Sequence, residues 1–171
     1  MQCISCRGTY ARNHGFSLVE LAVAIAAISA LLYFLLDRML YMQEVAEKTE
    51  VEETISSINY GLRLEAASRL TRGSAQKQLS LEMENPVRWL STRPRNYLGE
   101  LAKPPEGAKP AYWYFNTQVK QLIYRPNRSE HLLIGGDKGK ELQFTVGVQK
   151  GESQPKLQAQ VGYLWFGEKN D

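Results

Sequence analysis

The feature that most constrains this chain is a run of 21 residues, Phe16 to Leu36, that holds a single charge, Glu20. At ~1.5 Å per residue a helix of this length spans roughly 30 Å, the thickness of a bilayer core. Two arginines, Arg7 and Arg12, precede it with no acidic residue among them. They account for two of the chain's net charge of +3, so the remainder is close to neutral and gives no reason to expect a nucleic-acid binder.

A secretory signal peptide fits poorly. The apolar run is longer than an ordinary signal core, and the residues after it, Asp37-Arg38-Met39-Leu40-Tyr41, are not a small-x-small cleavage site. An uncleaved signal anchor accounts for the basic flank, which would stay in the cytoplasm while the C-terminal part is exported. Neither reading explains Glu20. An acidic side chain in a membrane span costs roughly 2.5–3.5 kcal/mol at mid-bilayer and less near an end, and such a residue calls for a partner. A free α-amino group at a processed N-terminus would serve, because a carboxylate out of water needs a positive charge or donors.

The stretch Gly15-Phe16-Ser17-Leu18-Val19-Glu20, behind a basic leader and opening an apolar span, resembles the processing site of type IV pilins and of type II secretion pseudopilins. The resemblance covers roughly residues 7–40. It implies cleavage by a prepilin peptidase after Gly15, N-methylation of Phe16, and a mature chain whose fifth residue is Glu20. It further implies that the Glu20 carboxylate pairs with the α-amino group of Phe16 on a neighbouring subunit during filament assembly. The implied partners are the peptidase/methylase, other pilin or pseudopilin subunits and the inner membrane. The implied location is the bacterial inner membrane, with the N-terminus cytoplasmic and the C-terminal domain periplasmic, and then the filament. One departure stands out: many members carry a proline about 22 residues into the mature helix, where this chain has Asp37.

Beyond the span, Tyr41 or Met42, Val45, Val51, Ile55, Ile58, Leu62, Ala66 and Leu70 recur at three- and four-residue spacing, with Glu44, Glu47, Lys48, Glu50, Glu52 and Glu53 between them. No proline interrupts residues 16–72. The pattern predicts one helix from Phe16 to about Leu70, apolar all round in its first half and striped in its second, the stripe packing on a sheet. Residues 73–110 hold five prolines and three glycines and read as a loop-rich connector, with short ordered pieces at Gln76–Glu84 and Val87–Ser91 and a turn at Asn96–Gly99. From residue 111 to 171 the pattern is β. Strands are expected at Ala111–Asn116, Gln121–Arg125, His131–Ile134, Glu141–Gln149 and Leu157–Phe166, with turns at Thr117–Lys120 and Gly135–Gly139. The expected fold class is therefore α+β: a long N-terminal helix, membrane-spanning in its first half (16–36) and amphipathic in 37–72, packed on an antiparallel sheet of four or five strands, after a leader of residues 1–15.

No catalytic constellation emerges, and an enzyme is not expected. Cys3 and Cys6 have C-x-x-C spacing but no second ligand pair and no thioredoxin-like context, and no cysteine follows them. His131 is the single histidine outside the leader and reads as a surface or strand residue, which leaves no metal site and no Ser-His or Cys-His pair. Gly135-Gly136-Asp137-Lys138-Gly139 lacks the spacing of a phosphate loop. Some pseudopilins bind calcium in a C-terminal loop, but Asp137, Glu168 and Asp171 make a thin ligand set. Aromatic and basic residues mix at Tyr112–Phe115, Tyr124, Arg125, Arg128, Trp165 and Phe166, a composition that can stack on single-stranded nucleic acid; strand alternation makes core packing the simpler account, and neither a nucleic acid nor a cofactor is expected. The reading is a structural subunit, a minor pilin or pseudopilin. The alternative is a singly anchored extracytoplasmic binding module with no filament role.

Overall fold

The computed structural model describes residues 17–72, 81–148 and 154–170. The chain divides into two compact units, Met1–Tyr41 and Met42–Asp171. Helix α1, Leu18–Thr71, supplies the described part of the first and opens the second. Nothing in its sequence breaks it: it contains no proline, and serine and threonine side chains such as Ser29 and Thr54 fold back onto the carbonyl four residues earlier. In the first unit none of the described residues is buried.

In the second unit α1 buries Val51, Ile58, Leu62 and Ala66, with Ile55 partly covered. This is the expected stripe, although Leu70 at its end is exposed. Its partners come from two sheets. One has the order β1–β2–β3–β6–β7 (Tyr97–Leu101, Tyr112–Asn116, Gln121–Arg125, Leu142–Val148, Pro155–Ala159). The other has the order β5–β4–β8–β9 (Asp137–Lys138, Leu132–Ile134, Tyr163–Trp165, Glu168–Asn170). Trp113 lies at the centre of the core, its ring 4.6 Å from Tyr124 and 5.8 Å from Phe144. Each fully buried aliphatic side chain here contributes about 1.5–3 kcal/mol. Gly61 marks where α1 meets the 3-10 helix Pro86–Trp89: a Cβ there would come 2.5 Å from the Trp89 carbonyl oxygen. That 3-10 helix is capped by Asn85, whose side chain accepts from Val87 N at 3.0 Å.

The fold class and the five main strand regions agree with the sequence reading, and five details differ. Asn96–Gly99, expected as a turn, leads into strand β1, which pairs in parallel with β2. Its pattern was obscured because the register shifts between Tyr97 and Glu100, where Gly99 takes φ 105. The single last strand expected over Leu157–Phe166 is two strands in different sheets. Apolar alternation runs unbroken through Val161, but Val161 points to solvent at the corner, where Gln160 N donates to Gln143 O and Gly162 O accepts from Gly135 N. The Gly135–Gly139 turn is tighter than expected: Gly135 and Gly136, both with positive φ, form a two-residue hairpin turn, and Asp137–Lys138 already pair with β4. A matching two-residue turn, Phe166-Gly167 (φ 56 and 77), joins β8 to β9, which had no sequence signal. Finally, Glu44 and Lys48, expected on the polar face of α1, are buried.

Candidate functional site

Three residues were singled out by sequence. Gly15 and Phe16 lie outside the described residues. Glu20 sits in the first turn of α1, exposed, with no hydrogen bond or ion pair to another described residue. Around it Leu18, Val19, Leu21, Val23, Ile25 and Ile28 are all exposed. This helix is long and apolar enough to cross a membrane. A carboxylate in such a stretch, with no neutralising group among the described residues, calls for a partner.

The second unit holds carboxylates of the opposite kind. Glu44 is 1% exposed. Its Oε1 accepts from His131 N at 2.9 Å and from Trp165 Nε1 at 3.2 Å, and its Oε2 lies 3.0 Å from His131 Nδ1. An ionised carboxylate only accepts, so Nδ1 carries the proton of that bond. Burial alone would push the Glu44 carboxyl up. The bonds from the His131 side chain and backbone and from Trp165 outweigh it and hold the carboxyl below its ordinary value. The His131 ring stacks on Phe166 with centroids 4.7 Å apart, which gives the left-handed Phe166 a packing role.

Three residues on, Glu47 Oε1 accepts from Tyr124 Oη at 2.8 Å and Asn127 N at 2.6 Å, and Oε2 from Arg128 N at 3.2 Å. Burial, with the Glu47 charge beside it, drives the Tyr124 phenol far up, so it stays a donor. The two carboxylates together hold three backbone N–H groups of the segment 126–131 that links β3 to β4. Farther along α1, Asn59 Oδ1 accepts from Leu157 N at 2.8 Å and closes the outer edge of β7. Sequence reasoning missed these roles because a glutamate between apolar helix positions reads as solvent-facing, and its partners lie as far as 121 residues away.

Among the described residues no other region gathers reactive groups. An open trough of about 410 Å³ beside α1 is lined by Ser56, Tyr60, Leu64, Trp89 and Leu90, and has no charged group. A smaller one, about 220 Å³, contains Arg88, Arg93 and Glu100, but Glu100 is already bonded to Arg88 and Asn85. Among the described residues no group of three or more His, Cys, Asp or Glu could hold a metal ion. Asp137 and Glu168, considered for calcium, lie in strands at opposite edges of the four-stranded sheet, and Asp171 is outside the described residues. The aromatic residues considered for stacking on nucleic acid, Tyr112–Phe115, Tyr124 and Trp165, are buried within the domain.

Fold and site together define an α+β protein with one N-terminal helix long and apolar enough to cross a membrane. Comparison with protein-family models, curated proteins and solved structures finds no match to this chain.

Proposed function

We propose that the chain is a prepilin-like precursor and a structural subunit of a type IV pilus or type II secretion filament, as a minor pilin or pseudopilin. It is cleaved after Gly15, N-methylated at Phe16 and anchored in the bacterial inner membrane by residues 16–36 before assembly. The observation that supports this reading is Glu20: an exposed carboxylate with no ion pair to another described residue, within the apolar stretch of α1 and fifth in a chain that starts at Phe16. Cleavage at that junction creates a cation, the α-amino group of Phe16, four residues before the acid. Between neighbouring subunits offset along a filament they can meet, and unpaired charges in lipid then favour the register that brings them together.

The experiment is co-expression of the full chain with a prepilin peptidase, followed by mass analysis of the N-terminus. Loss of residues 1–15 and a methyl group on Phe16 are expected. An intact N-terminus overturns the reading and leaves a singly anchored module without a filament role.

A further inference from the structure

We propose that Glu44 and Glu47 form an acid-released latch, which fixes the segment 126–131 to the first turns of α1 in the second unit and lets go when Glu44 is protonated. The inference is independent of any filament role. It starts from placement: the only covalent route from the first unit into the second runs through α1 at residues 42–48, where both carboxylates sit. Few apolar side chains do the holding there. Tyr41, Met42 and Gln43 are exposed, Val45 is half-buried, and the first fully buried apolar residue of α1 is Val51. What ties this end of the helix to the strands is the set of N–H and O–H bonds accepted by the two acids.

Protonation acts on this set asymmetrically. A neutral Glu44 acid presents a donor where it presented only acceptors. With the proton on Oε2, His131 Nδ1–H then faces an O–H, and both Oε1 bonds, from His131 N and Trp165 Nε1, lose their charge assistance. The ring is 44% exposed and can turn to water, whereas Trp165 Nε1 is buried and cannot. The charged and titratable groups packed around Glu44 are few. From α1 they are Glu47 and Lys48, the latter 3.7 Å from Glu52. From the 126–131 segment they are Arg128, bonded to Glu130 at 2.8 Å, and His131. From the strands they are Tyr124 on Glu47, and Tyr163, which feels the Glu52 charge. Because the folded carboxyl is held below its ordinary value, the bonds are complete above the ordinary glutamate range, ~4.3, and are lost as pH falls through the lower folded value.

The test is hydrogen exchange with mass spectrometry on the full chain in detergent micelles, corrected for intrinsic rates, from pH 7 down to the acid limit of the fold. Protection of peptides covering 42–48 and 126–131 is expected to fall at least tenfold toward acid, while β2 and β3 keep theirs. Glu44→Gln is expected to show the low protection already at pH 7, with no further acid step. Should that variant fail to fold, His131→Ala, which changes a half-exposed ring, is expected to move the wild-type acid midpoint up, because the side-chain bond from His131 that helps hold the carboxyl low is lost. A protection profile in which 42–48 and 126–131 open together with β2 and β3, or a midpoint unmoved by His131→Ala, overturns the latch.

Discussion

Helix α1 carries two glutamates in opposite circumstances. Glu20 lies among exposed leucines, valines and isoleucines without a partner among the described residues. Glu44, seven turns or so farther along, is sealed from solvent and accepts from His131 twice and from Trp165. The helix is the same; what differs is where the neutralising groups come from. For Glu44 the chain supplies them from the 126–131 segment and from β8. For Glu20 no described residue supplies them, and the apolar surface around it is exposed. One half of α1 is therefore packed by its own fold, and the other half is left exposed.

The largest effect that would break this contrast is in packing. Leu62→Ala removes a fully buried side chain and is expected to cost about 2–5 kcal/mol, read as a lower thermal midpoint in micelles. Leu32→Ala, in the exposed half, is expected to leave that midpoint unchanged; an equal loss at both positions would mean that the two halves are not different in kind. Next come the acids. Glu44→Ala strands buried donors at His131 N and Trp165 Nε1 and is expected to cost about 1–3 kcal/mol, whereas Glu20→Ala leaves domain stability untouched. A smaller effect is expected at alkaline pH. Burial and the Glu52 charge push the Tyr163 phenol up to about 12, so stability is present below the ordinary tyrosine range and is lost as pH rises from ~10 through that value. Tyr163→Phe should flatten this alkaline decline in a denaturant series; an unchanged slope would remove Tyr163 from the account.

The sequence carried the helix, its buried stripe and most strands, because periodicity survives wherever one face meets the core. It also carried Glu20, since a lone charge in an apolar run is conspicuous. The Glu44 site was not legible. Its donors are a backbone N–H and two side chains 87 and 121 residues away, and nothing local distinguishes it from the solvent-facing Glu50. The corner at Gln160–Gly162 escaped for a related reason: Val161 continues the alternation although the chain there turns from one sheet to the other. Phe166-Gly167 lacks the Asn-Gly or Asp-Gly signature of its turn; the ring of His131 beneath Phe166 steadies it instead.

The most direct measurement uses a host whose filament machine assembles the wild-type chain. Glu20→Ala is expected to be cut after Gly15 and retained in the membrane, yet to be missing from the sheared filament fraction. Recovery of Glu20→Ala in filaments at the wild-type level would contradict the proposal that Glu20 finds its partner in a neighbouring subunit.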